Sequence, residues 1–396
     1  MNRLKSRVYW RKANQRPPCS ISPPFPKHSP DAPVLFIAPS VLQATARRFQ
    51  ADFDGLVTYA VKANDRPEVL SNLVAAGIST FDVASPAEMA AVRAVCPQAV
   101  LHYNNPVRSA AEVRAGIAAG VYSWSIDDMS ELAKLRDVPR DNEVAVRFAL
   151  PVKGAAYDFG SKFGAAPEQA AELLRAVAEM GFTPSMCFHP GTQCNDPQAW
   201  VQYVHAAADI LRAAGVSIKR MNIGGGFAVD RGFDAPDHRA VFAAVKAALA
   251  ESFGTDAPSL LCEPGRALVA DAAVLATRIK GMRNAGRTVF LNDGIYGGLP
   301  DLRDMGLSGL VDVVGPEGAL RQGAPTPRVV FGPTCDSLDR LPDGLPLPQD
   351  AQTGDYLLFG GMGAYSIAMS TAFNGYGLAG ITLVSDLGAV PKRKAA

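Results

Sequence analysis

The chain has almost no surplus charge of either sign: 39 Lys and Arg stand against 38 Asp and Glu, a net +1 over 396 residues. A nucleic acid or an acidic membrane surface is recognised through a basic excess, so neither is expected as a partner. No run approaches the ~18 consecutive apolar residues that span a bilayer. Cysteine is scarce and scattered, six in a chain too long to depend on disulfides, which points to free thiols in a reducing compartment, the cytoplasm. Residues 1–30 lack any acid; they carry seven Lys or Arg and a proline-rich stretch from Pro17 to Pro30. No apolar segment follows that basic start, so a secretory signal is not expected. The stretch reads as a poorly ordered arm, with a partner-contacting arm as the alternative.

What is present is an alternation. At 396 residues the chain exceeds the roughly 250–300 that one core supports, and 48% hydrophobic residues suffice to fill two. Between residues 35 and 270, short apolar runs (56–62, 80–85, 100–104, 122–127, 143–150, 184–189, 220–223 and 259–263) alternate with Ala-rich segments. In segments such as 86–95, 109–119, 167–180 and 238–251 apolar residues recur at three and four positions, the helical period. Pro86 and Pro167 stand at first helical positions. Eight strand–helix repeats predict an α/β fold with a parallel (β/α)8 TIM-like barrel over 35–270. From 271 to 396 the runs 272–280, 288–292, 328–331 and 356–359 alternate with Gly/Pro/Asp turns, predicting a C-terminal antiparallel β domain that residues 1–34 could join.

Residues with chemical potential fall at the C-terminal ends of the predicted barrel strands, the face on which such barrels build their sites. Lys62 closes Tyr59-Ala-Val-Lys62. A lysine buried there has its ammonium form disfavoured, which suits covalent capture of a carbonyl; the bland alternative is a snorkelling surface lysine. His189 ends an apolar run as a core imidazole or a flat face for a cofactor ring. Zinc held by Cys187, His189 and Cys194 lacks a second Cys/His pair. Gly224 to Gly226 form a tight turn whose N–H groups suit a phosphate. They do not make GxGxxG, and no acidic ribose partner is evident. Glu263 follows Leu260-Leu261-Cys262 into a dry region and needs a cation, either a protonated pyridine nitrogen or Arg266. Cys335, beside Asp336 in a turn-like loop, is a candidate for acid–base work rather than an inert buried thiol. An amine, a ring, a phosphate cradle, a buried acid with an arginine beside it and a thiol are the parts that pyridoxal phosphate chemistry uses.

In this order the motifs YAVKAN (59–64), FDVAS (81–85), SKFG (161–164), FHPGTQC (188–194), IGGGF (223–227), EPGR (263–266), NDGIYG (292–297), GPTCDSLDR (332–340) and GAYSIAMSTAFNGY (363–376) make the chain resemble the fold type III pyridoxal-phosphate-dependent decarboxylases, the ornithine/lysine/diaminopimelate family with its alanine-racemase-like fold. The CDSLD form is similar to the ornithine branch. The resemblance implies a head-to-tail homodimer with shared active sites and a small amino-acid substrate. It implies Lys62 joined to the cofactor, His189 stacked on its ring and Glu263 at the pyridine nitrogen. Thr192, Gly225, Gly226, Gly265, Arg266 and Tyr365 would hold the phosphate end, with Asp82 and Arg147 lining the pocket. Cys335 of the second subunit would reprotonate the substrate carbon, Asp336 would bind the distal amine, and Phe373 would lie against the substrate.

One departure bears on the substrate. Where the ornithine branch carries an aromatic-Asp-His triplet, this chain reads Asp301-Leu-Arg303-Asp304, so Asp304 aligns only with a gap and Asp301 is a rival. The expected activity is decarboxylation of a basic L-amino acid, first L-ornithine to putrescine. Alternatives are lysine, diaminopimelate or a specialised pathway amino acid, or an inactive paralogue that binds a partner protein, against which Lys62 and Cys335 both speak. A bare cofactor-carrier barrel leaves the C-terminal third without purpose. A racemase wants a second base in the form of a β-domain tyrosine.

Overall fold

The structure, a computed structural model, describes residues 31–152, 162–232, 237–378 and 380–387. The basic arm up to residue 30 and Ser161 of the SKFG motif lie outside them. The described residues fall into two units. One takes those of Met1–Leu42, Val229–Ala235 and Val269–Ala396; the other takes those of Gln43–Ala228 and Pro236–Leu268.

The strand β1 (Val34–Ile37) belongs to the first unit, and the barrel unit begins with β2 (Leu56–Val57) and β3 (Tyr59–Ala60). Then follow β4 (Thr80–Val83), β5 (Val100–Tyr103), β6 (Val121–Ile126), β7 (Glu143–Arg147), β8 (Thr183–Cys187), β9 (Arg220–Asn222) and β10 (Ser259–Cys262). Each of the eight apolar runs is a strand, and all neighbours are parallel in the order β2-β10-β9-β8-β7-β6-β5-β4-β3. The ring closes through the chain itself. β2 and β3 are halves of one strand parted at Thr58, whose N–H reaches the Cys262 carbonyl at 2.9 Å and whose hydroxyl reaches Thr80 Oγ1 at 3.2 Å. Helices start where the sequence places caps. Ser85 accepts the Glu88 N–H at 3.3 Å with Pro86 in the first turn, and Ser109 with Glu112 forms a reciprocal capping box.

The second unit adds β11 (Ala273–Arg283), β12 (Thr288–Leu291), β13 (Val311–Val314), β14 (Pro325–Phe331), β15 (Leu345–Pro348), β16 (Tyr356–Gly360) and β17 (Ile381–Leu383). Its sheet runs β13-β16-β11-β12-β14-β15, with β1 laid on β11 and β17 on β1. β11 shifts register at a bulge between Ile279 and Gly281, pairing β1 and β16 before it and β12 after it. The pairings are antiparallel apart from two, β1–β17 and β12–β14, so the sheet is mixed. The barrel does not start at residue 35. Leu35, Phe36 and Ile37 are buried in the β unit, where Phe36 packs with Val274, Ala276, Tyr356 and Leu358. An apolar strand of four residues carries no mark of which sheet it will join.

Candidate active site

Lys62 lies in the 3-10 turn Val61–Ala63 directly after β3. Its side chain is exposed, not buried as the sequence predicted, while Val61 and Ala63 on either side of it are buried. Around it in the barrel unit stand Asp82 on β4, His189 after β8, Arg147 at the end of β7, and Glu263 after β10. Lys62 and Arg147 bear electrostatically on Asp82, His189 and Glu263. Burial holds the Asp82 carboxyl well above its ordinary range; Glu263 adds to this, while Lys62 and Arg147 oppose it. The Glu263 carboxyl is raised by burial and drawn back by its Asn222 bond, Lys62 and Arg147. His189 is driven well below the usual imidazole range by burial, then by Lys62 and Arg147, so at neutral pH its ring is uncharged. Its Nδ1 accepts the Gly191 N–H at 3.0 Å, which leaves the proton on Nε2.

Glu263 takes amide partners. Its Oε1 accepts from Asn104 Nδ2 at 2.5 Å and from Asn222 Nδ2. Asn222 Oδ1 in turn accepts the Gly224 N–H at 2.9 Å, and the Glu263 N–H returns to the Gly224 carbonyl at 2.8 Å. The acid and the glycine turn are thus one braced piece. That turn requires glycine: Gly224 and Gly226 have φ of +70° and +85°. A Cβ at Gly225 would lie 2.5 Å from the Glu263 carbonyl and 3.3 Å from His189 Nε2. One at Gly226 would run into the Gly191 carbonyl and lie 3.3 Å from the His189 ring. The backbone therefore approaches the imidazole closely. Gly265 packs beside the Lys62 turn, where a Cβ would meet Ala63 Cβ at 2.9 Å. Arg266 is buried and Thr192 half-buried. The cysteines near His189 are separately engaged. Cys187 Sγ lies 3.3 Å from Ser125 Oγ, and burial pushes its thiol up to about 12; Cys194 Sγ contacts the Asp196 carbonyl. Among the described residues no His/Cys/Asp/Glu group is placed to hold a metal ion, and no helix is long and apolar enough to cross a membrane.

The remaining candidates lie in the β unit. Cys335 is exposed, with its N–H on Asn374 Oδ1 at 3.0 Å. Asp336 Oδ2 accepts from the Tyr296 hydroxyl at 2.5 Å, and that bond holds its carboxyl below the usual range. The Tyr296 ring lies 5.0 Å from that of Phe373, which is 45% exposed. Cys335, Asp336 and Phe373 are thereby gathered around Tyr296 and Asn374. Tyr365 has a left-handed φ of 54°, unusual for an aromatic residue, and the adjacent Ser366 is buried with its hydroxyl on the Gly298 carbonyl at 2.8 Å. Asp304 is gripped at both oxygens by Arg303, at 2.7 and 3.0 Å, and titrates low for that reason. Asp301 is buried and paired with Arg231 at 2.8 Å, 70 residues away in sequence.

The two rival acids should therefore respond differently. Asp301→Ala removes a buried acid from opposite a half-buried guanidinium, which keeps its bond to the Gly306 carbonyl, and is expected to destabilise the protein by about 1–3 kcal/mol. Asp304→Ala, at an exposed pair, should shift stability by about 0.5 kcal/mol or less. Thermal unfolding of both variants is the check; equal midpoints would contradict the assignment of Asp301 to structure.

The sequence reading missed Asn104, Asn222 and Tyr296. The signal for the first two was present: polar residues at the C-terminal ends of barrel strands β5 and β9, where Lys62 and His189 were sought.

A model of the pyridoxal-dependent decarboxylase family, pyridoxal binding domain, matches residues 40–270. Chloroplastic ornithine decarboxylase of Nicotiana glauca is 35% identical over 340 residues, 82% of this chain and 76% of the relative. Lysine/ornithine decarboxylase of Selenomonas ruminantium is 32% identical over 341 residues, 83% of this chain and 84% of the relative. Among solved structures, lysine/ornithine decarboxylase of Vibrio vulnificus complexed with cadaverine superposes with a TM-score of 0.79 at 27% identity, covering 90% of this chain and 95% of that one.

Proposed function

The chain belongs to the family of pyridoxal-dependent decarboxylases, and from that premise we propose that it decarboxylates a basic L-amino acid with pyridoxal 5′-phosphate, L-ornithine first, giving putrescine and CO2. The observation that carries the reading is the single cluster of Lys62, Asp82, Arg147, His189 and Glu263, braced to the glycine turn through Asn222. These residues fit the cofactor. The Glu263 carboxylate is aimed by two neutral amides, which suits a ring nitrogen that carries a proton. The uncharged His189 offers a flat face beside a turn cleared of side chains. Within the barrel unit, Gly225, Gly226, Gly265, Thr192 and Arg266 are the groups proposed for the phosphate.

When bound, pyridoxal phosphate supplies an electron sink for the pair left as CO2 departs. The chain supplies the rest. Lys62 provides the amine that carries the cofactor and later recaptures it. Asn104 and Asn222 keep Glu263 pointed and partly offset its burial. Cys335 returns a proton to the carbon that has lost its carboxylate, and Asp336, held by Tyr296, pairs with the distal ammonium of the substrate. Cys335, Asp336 and Phe373 serve the barrel cluster of a second copy, in a homodimer with shared sites. Lysine is the second reading, since the relative from Selenomonas ruminantium is named for both amino acids.

The test is CO2 release by the purified protein with pyridoxal phosphate, screened across L- and D-ornithine, lysine, arginine, diaminopimelate and glutamate. The largest kcat/KM is expected with L-ornithine. Release from none of the basic amino acids would overturn the proposal.

A further inference from the structure

We propose that Asp339 is a positioning residue for substrate recognition, holding the Cys335–Asp336 loop to the turn that carries Tyr296. The inference rests on the reading above that Cys335 and Asp336 face the substrate. It concerns a side chain to which that reading gives no role.

The geometry lies wholly within the β unit. β12 and β14 are parallel neighbours, with Phe290 opposite Phe331, so the turn Asp293–Gly298 and the loop Gly332–Arg340 leave the sheet at the same end. Asp339 sits between them, 1% exposed. Its Oδ1 accepts the Ile295 N–H at 3.0 Å, from the first element. Its Oδ2 accepts the Thr334 N–H at 3.1 Å and the Thr334 hydroxyl at 2.8 Å, from the second. The loop also closes on Asp339 by backbone, with Gly332 N–H on its carbonyl at 2.8 Å and its own N–H on the Asp336 carbonyl at 3.0 Å. Two glycines clear room for the carboxylate. A Cβ at Gly294 would lie 2.8 Å from its Cγ, and one at Gly332 would strike both its oxygens.

The bonded atoms are next-door neighbours of the functional ones. Ile295 precedes Tyr296, and Thr334 precedes Cys335. The Tyr296 hydroxyl reaches Asp336 at 2.5 Å only while the two elements keep this spacing. One buried carboxylate therefore sets the reach of the tyrosine, the aim of Asp336 and the position of the thiol. Three donors converge on its two oxygens, so an amide is not a neutral replacement: its NH2 would face an N–H or a hydroxyl proton.

The experiment uses the holoenzyme with L-ornithine and four variants: Asp339→Asn, Thr334→Val, Tyr296→Phe and the double variant Asp339→Asn/Tyr296→Phe. Asp339→Asn is expected to raise KM about tenfold with a smaller fall in kcat, and to raise the share of aldehyde released in place of the amine. Thr334→Val removes one of the three bonds and should give the same pattern at about two- to threefold; it keeps the test intact if Asp339→Asn does not fold. Tyr296→Phe should raise KM in the wild-type background and have little further effect beside Asp339→Asn, because its partner is already displaced. A merely structural role would lower the active fraction and the melting temperature while leaving KM and product ratio alone, and that result overturns the proposal. So does a full Tyr296→Phe effect in the double variant. Failure of the functional reading is distinguishable, since the wild-type enzyme would then release no CO2 from basic amino acids.

Discussion

Lys62→Ala is expected to reduce CO2 release by about three orders of magnitude or more, the scale on which loss of a covalent catalytic group acts. Lys62 is exposed in a short turn among Asp82, Glu263 and His189, and its ammonium bears electrostatically on all three. Truncating an exposed side chain should leave the barrel folded. The loss would then be chemical: no amine to carry the cofactor or to recapture it after product forms. Two measurements separate this from unfolding, the melting temperature of the variant and the peptide mass after borohydride reduction with pyridoxal phosphate. The wild type should show the cofactor fixed at Lys62 and the variant should show none. Steady turnover by the variant would remove Lys62 from the mechanism.

Cys335→Ala has the next largest expected effect. A positioned acid typically contributes about 10²–10⁴-fold, and the variant should lose turnover on that scale. The loop does not depend on the thiol. Its backbone is held through the Cys335 N–H on Asn374, through Thr334 on Asp339 and through Leu338 on Asp336, all retained on truncation to alanine. What disappears is the proton donor at the decarboxylated carbon. Protonation then goes to the wrong atom in a fraction of turnovers, and an aldehyde accompanies the amine. Quantifying both products decides the matter, because wild-type purity with a normal rate would take the acid role away from Cys335.

How much of this was legible in the sequence divides along physical lines. The barrel strands were, because a strand buried on both faces is a continuous apolar run and the helices between them repeat at three and four positions. The gathering of Lys62, Asp82, His189 and Glu263 followed, since all four stand at or beside strand ends. Pairing partners were not. Nothing in Val34–Ile37 tells that it lies on β11, and nothing in β12 or β14 tells that they run parallel. The state of individual side chains was legible only in part. Glu263 was read as needing a cation, yet its local partners are Asn104 and Asn222, brought from strands 159 and 41 residues away. Asp301 and Asp304 are equal rivals by residue type, and only the fold sets Arg231 against Asp301. Contacts at such separations are set by topology, and the residue types alone do not announce them.

The placement of β1 bears on how the chain is made. Its first partner, β11, begins at Ala273, and its second, β17, at Ile381. More than two hundred residues must leave the ribosome before the earliest described strand can be covered, tens of seconds at about 5–20 residues per second. The barrel lies between, as an insertion that can collapse while that strand waits with open hydrogen-bonding edges. Nascent chains paused before residue 273 therefore present Val34–Ile37 without its β11 partner, an apolar edge open to pairing with another chain.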